Sequence, residues 1–157
     1  MTAIDIARLF LYVRELPDNR GQRVEAIQRF GGGKPGDPWC AFFITMVLDV
    51  FDQGQCPLAR TGSCDIILQT ARTNRWIVSA PMAGDLYLYV RNGNDAYHVG
   101  LVTATEGTGM FRGLSGNTSI DGLSSNGDRV AERDIRLDPL KHVFVRVPRP
   151  PLAAVLP

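Results

Sequence analysis

The sequence predicts an α+β domain in which N-terminal helices pack on an antiparallel β-sheet. Two observations carry that reading. Up to about Thr73, apolar residues recur at helical spacing or form one long apolar run. Beyond Thr73 the pattern changes to short β-rich runs bounded by Gly, Asn, Asp or Pro. Helices first and strands afterwards give segregated layers. The 157 residues suffice for one domain with a sizeable core.

Ile4, Leu9, Tyr12, Val13 and Leu16 recur at near-helical spacing, which predicts a helix over residues 2–16 ended by Pro17. A short helix over residues 20–30 follows, and "GGGKPGDP" breaks it. Residues 39–52 form the most apolar stretch, interrupted after Cys40 only by Thr45 and Asp49 through Phe51. A helix apolar nearly all round is a buried one. "DQGQCPLARTG" reads as a loop, and Ser63 as the cap of a helix through Thr73. The strands are expected in "RWIVS", "DLYLYV", "YHVGLVTA", "GMFRGLSG" and "KHVFVRV". The folded domain is expected to span 1–147, with "PRPPLAAVLP", residues 148–157, as a proline-rich tail.

Composition narrows the classes of function. A formal net charge of +1 gives no general reason to expect nucleic acid or an acidic membrane as partner. No apolar run reaches membrane-spanning length, so membrane insertion is not expected. The start "MTAIDIARLFLYVREL" lacks the basic region and cleavage site of a signal peptide, so synthesis in the cytoplasm without classical export is expected. The three cysteines, Cys40, Cys56 and Cys64, match no common zinc spacing, and the only histidines are His98 and His142. No metal and no cofactor is therefore expected.

Cys40 sits where "GDPWC" opens the apolar helix. Asp37 suits a cap and Pro38 the first turn. A thiol in that turn lies at the positive end of the helix dipole, which favours the thiolate. The competing reading is a buried structural cysteine. "YHVGLVTATEGTGMFRGLSGN" adds a histidine with partners. With a hairpin turn centred between Gly107 and Thr108, Thr105 opposes Met110, Ala104 opposes Phe111, Gly100 opposes Ser115 and His98 opposes Asn117. Opposed residues share a face with Cβ atoms about 4.5–5.5 Å apart. Gly100 beside His98 leaves room for a substrate, and Ser115 is a diagonal neighbour of the imidazole. Cys40, His98 and Asn117 thus compose a nucleophile, a base and an amide that orients it. His142 has no such context and reads as a surface or strand-edge residue.

"DPWCAFF" opening a helix, then "GDLYLYV", "YHVGLV" and "GNT" in that order resemble the CHAP family of cysteine- and histidine-dependent amidohydrolases/peptidases, which belong with the NlpC-type, papain-like enzymes. The lead-in "NRGQRVEAIQRFGGGKPGDPWC" resembles that of bacterial and phage members, and the likeness runs from Ala3 to Val147. It implies a papain-like domain with Cys40 as nucleophile, His98 as base and Asn117 as the polar third residue. Relatives often carry Glu where this chain has Ser115. Trp39, Tyr87 and Ser115 are the expected substrate contacts, with a place in the core equally compatible for Trp39 and Tyr87.

The implied substrate and partner is peptidoglycan, cut at an amide bond by an N-acetylmuramoyl-L-alanine amidase or endopeptidase acting as a monomer. Action on the wall would follow non-classical release or delivery, with an immunity or delivery protein as a further partner. The rival readings are a non-catalytic wall-binding module that retains the fold and an acyltransferase using the same Cys/His pair. An oxidoreductase is weakly supported, for want of a C-x-x-C. Cys56 and Cys64 bracket "CPLARTGSC", and a disulfide there or two free thiols are equally compatible with the spacing.

Overall fold

A computed structural model describes residues 1–107, 109–119 and 127–150. Helices α1 (Ala3–Arg8), α2 (Gln22–Phe30), α3 (Cys40–Phe51) and α4 (Cys64–Thr73) precede the strands. These are β1 (Ile77–Val78), β2 (Leu86–Arg91), β3 (Asp95–Glu106), β4 (Met110–Thr118), β5 (Arg129–Arg136) and β6 (His142–Val145). They form one antiparallel sheet in the order β1-β6-β2-β3-β4-β5. The fold is α+β, with helices packed on a sheet, as expected.

α3 is the centre of the molecule. Its residues Cys40 through Asp49 are all buried. They pack with Leu86, Leu88, Val99, Leu101 and Leu114 from β2, β3 and β4 in the main core. Phe42 accounts for three glycines: a Cβ on Gly31, Gly33 or Gly62 would lie within 2.3–2.4 Å of its ring. The glycine-rich break after α2 is therefore a cradle for an α3 side chain. The buried Gln28 ties α2 to the segment entering α3, donating from Nε2 to the carbonyls of Asn19 and Asp37 at 2.9 and 2.7 Å.

Three expectations about elements need correction. The first helix ends at Arg8. Beyond it the chain tightens into turns and then extends, so that Glu15 donates to the Asp128 carbonyl and Val130 to that of Val13. The apolar spacing through Leu16 misled because the exposed edge of β5 recruits these residues, and Leu9, Tyr12 and Leu16 stay exposed. The strand β5 was not expected, because "RVAERDIR" is mostly polar and lies at a sheet edge.

The β3–β4 hairpin is also built differently. Glu106 pairs with Met110, Thr105 with Phe111 and Ala104 with Arg112, one residue out of the expected register, and Gly109 has φ 75°. A bulge at Thr103 removes the offset, so Val102↔Gly113 and Leu101↔Leu114 fall into the expected register. Residues 151–157 of the expected tail lie outside the described residues, as does Thr108 of the expected turn.

Candidate active site

Cys40 is the first residue of α3, but Asp37 does not cap the helix. Its carboxylate instead accepts from the Lys34 N–H at 2.8 Å, closing a turn. Trp39 occupies the cap position without a side-chain cap bond. The first N–H groups of a helix lack intrahelical acceptors. No side chain caps the α3 start, where Cys40 sits at the positive end of the helix. The Trp39 indole N–H donates to Glu15 Oε2 at 2.6 Å, and burial raises the Glu15 carboxyl above its usual range.

His98 comes from β3, in register with Tyr89 of β2, and is fully buried. Its Nε2 lies 3.0 Å from Ser115 Oγ on β4. With the proton on Nε2, Ser115 accepts it and Nδ1 presents its lone pair. Nδ1 makes no conventional hydrogen bond in the resting structure, leaving it for the Cys40 thiol. Ser115, expected as a substrate contact and as a diagonal neighbour within reach of the ring, thus lies on the imidazole.

Asn117 follows two residues later, buried, at φ 50° in the irregular stretch between Ser115 and Thr118. Gly116 between them is required by packing, since a Cβ there would lie 2.6 Å from the Trp39 ring. The segments "DPWC" and "SGN" are therefore docked directly on each other.

Two further expectations fail on burial. Trp39 and Tyr87 are both fully buried and line no open cleft. The space beside Gly100 holds the Tyr87 ring, 2.4 Å from where a Cβ would sit, and leaves no room there for substrate. Burial pushes the Tyr87 phenol well above its ordinary range, with Ser115 beside it offsetting part of the effect. His142 is likewise no surface residue: it is buried, accepts from the Asp138 N–H at Nδ1 (2.9 Å), and packs 4.8 Å from Tyr89 between ring centroids.

The residue missed in the sequence is Cys64. It is the first residue of α4, and its Sγ lies 3.7 Å from Cys40 Sγ. All three cysteines are free, and no bridge joins Cys64 to Cys56. The Cys40 thiol is held well below its ordinary range. The hydrogen bond with Cys64 is the largest cause, aided by His98 and the Val99 backbone N–H against the opposing effect of burial. Cys64 is driven strongly upward by the same bond and by burial. The signal was present: Ser63 caps α4 through Ile66 N at 3.2 Å, placing Cys64, like Cys40, at a helix start.

The arrangement can form a thiolate, pass a proton through an imidazole and hold that imidazole with a hydroxyl. Cys40 keeps 4% of its exposure and His98 none. A recess of about 640 Å³ lies elsewhere, lined by Tyr89, Arg133, Ile135, Arg136, Lys141 and His142 among others; neither Cys40 nor His98 lines it. Among the described residues, no cluster of three or more His, Cys, Asp or Glu side chains is placed to hold a metal ion, and no helix is long and apolar enough to cross a membrane. No family model matches this chain, and no curated protein matches it.

Proposed function

We propose that this chain is a papain-like, cysteine-dependent peptidoglycan hydrolase that cuts an amide bond in cell-wall muropeptides through a thioester on Cys40. The observation that carries the reading is the continuous set from the α3 start to β4: a lowered Cys40 thiol, an imidazole beside it, and Ser115 Oγ 3.0 Å from the far ring nitrogen. A merely structural cysteine needs neither a depressed pKa nor an oriented histidine. The resemblance to the CHAP family in "DPWC", "YHVG" and "SGN" supplies the substrate class.

In this reading the Cys40 thiolate attacks the amide carbonyl carbon, and the oxyanion is met by backbone N–H groups at the α3 start. His98, having taken the Cys40 thiol proton at Nδ1, delivers it to the departing amine as the C–N bond breaks, leaving an acyl thioester. Water, giving its proton to His98, then attacks the thioester and releases the carboxylate and the Cys40 thiolate. Ser115 and Asn117 position the ring. Family analogy favours the amidase, which exposes the amino group of the stem peptide's first alanine; an endopeptidase exposes an amine further along.

Purified peptidoglycan digested with wild type and with Cys40→Ala, followed by identification of new amino termini, tests the proposal. New termini are expected from wild type alone. The near-complete burial of Cys40 and His98 is the observation that favours the rival, a wall-binding module. That rival is supported if wild type binds walls and releases no amine from any wall type.

A further inference from the structure

Cys64 has no part in the hydrolytic sequence above, yet its sulfur is the strongest influence on the Cys40 thiol. Both residues open helices that pack against β3, so the pair is fixed by two separate elements. Asp65 anchors α4 there, its Oδ1 accepting from the Ala96 N–H at 2.7 Å. The Sγ atoms are 3.7 Å apart, and a disulfide requires about 2.05 Å. Under 2 Å of closure remains, within reach of side-chain rotation and a small helix shift.

We propose that Cys40 and Cys64 form a reversible oxidation site, in which a disulfide between them blocks the reactive thiol. The site depends on the placement of the two sulfurs and goes beyond the hydrolase reading; it stands whether or not the chain cuts peptidoglycan.

The oxidant is a small peroxide, which needs far less entry space than a glycan strand. The Cys40 thiolate attacks one peroxide oxygen, the O–O bond breaks and hydroxide leaves. Sulfur is oxidised by two electrons to the sulfenic acid, and the peroxide is reduced. The Cys64 sulfur then attacks the sulfenic sulfur. The S–O bond breaks, the S–S bond forms, and the Cys64 proton departs with the hydroxyl as water. Two equivalents of a small thiol reverse the step and restore both cysteines.

The sulfur–sulfur contact suits these roles, lowering the Cys40 thiol toward attack and raising the Cys64 thiol toward resolution. Cys56 is a poor competitor, its thiol pushed up to about 11 by burial. Oxidation therefore spares Cys40 from irreversible sulfinic acid and holds the protein latent until a reductant is met.

The test treats the intact chain with hydrogen peroxide and reads mass and thiol content, with no need for a hydrolysis assay. Wild type is expected to lose two hydrogens, to yield a peptide cross-linked through Cys40 and Cys64, to keep Cys56 alkylatable, and to recover fully with dithiothreitol. Cys64→Ser should form a sulfenic acid trappable by dimedone, then gain two oxygens on Cys40 that dithiothreitol does not remove. Cys40→Ser should form no cross-link between positions 40 and 64, and circular dichroism checks that both variants fold. The proposal is overturned if wild type gains oxygen on Cys40 without a Cys40–Cys64 cross-link, or if the bridge involves Cys56. A cross-link in a protein inactive on walls would reject the hydrolase and leave this site standing.

Discussion

Ser115 and Cys64 each act on one member of the reactive pair, and each role has its own readout. Ser115 Oγ meets Nε2 of His98, so Ser115→Ala frees the ring without removing the base. Turnover on peptidoglycan should fall by about 10- to 100-fold in kcat with KM little changed, the scale expected of a misplaced catalytic group. His98→Ala removes the proton carrier and should cost more, about 10²–10⁴-fold. Equal losses in the two variants would deny Ser115 a positioning role.

Cys64 sets the Cys40 thiol. Because that thiol is lowered, its thiolate is present above the lowered value and is lost only as pH falls through it. Alkylation of Cys40 by iodoacetamide should therefore stay fast below the ordinary thiol range near pH 8.5. Removing the Cys64 donor in Cys64→Ala should move the inflection to higher pH. An unmoved inflection would show that the second sulfur does not tune the first.

At the scale of elements, β3 is held from both sides by contacts that the sequence suggests only in part. "YHVG" was legible as a strand carrying a histidine, but the role of Gly100 was not, because a glycine says nothing of which ring fills its space. That ring is Tyr87, so Gly100→Ala drives a methyl into a packed aromatic and should destabilise by about 1–3 kcal/mol, seen as a lower Tm. An unchanged Tm would show that Tyr87 is free to move aside.

Glu132 on β5 joins three elements. Arg8 of α1 donates to its two oxygens at 2.7 and 3.1 Å, and Thr103 Oγ1 of β3 at 2.7 Å. The Arg8 bond, ahead of the Thr103 bond, holds the carboxyl below its usual range. Its stabilisation is present above the unfolded value near pH 4.3 and is lost as pH falls through the lower folded value. Glu132→Gln should flatten the fall in Tm between about pH 5 and 3 relative to wild type. An equally steep fall would assign acid sensitivity to other carboxylates. No periodicity flagged Glu132, because its partners lie on elements distant in sequence.

Over the whole molecule, legibility followed burial. α3 was legible to within one residue at each end, since ten successive buried residues leave little ambiguity. α4 was legible from its Ser63 cap. α1 was overextended and β5 missed where one-sided exposure blurs the pattern and edge pairing decides the structure. The cysteine at a helix start and the histidine on a strand were legible by chemistry, and Ser115, read as a diagonal neighbour able to reach the imidazole, lies on it. Cys64 escaped notice because sequence spacing linked it to Cys56 while folding turned it toward Cys40.

The central claim is that the Cys40 sulfur carries the acyl group of a wall amide. Reduced wild-type protein mixed with solubilised muropeptides, quenched with acid within a turnover and analysed by intact mass tests it most directly. A muropeptide adduct mapping to Cys40 and released by hydroxylamine is predicted. Turnover of the same muropeptides with no adduct on Cys40, and with Cys40→Ala equally active, would contradict it.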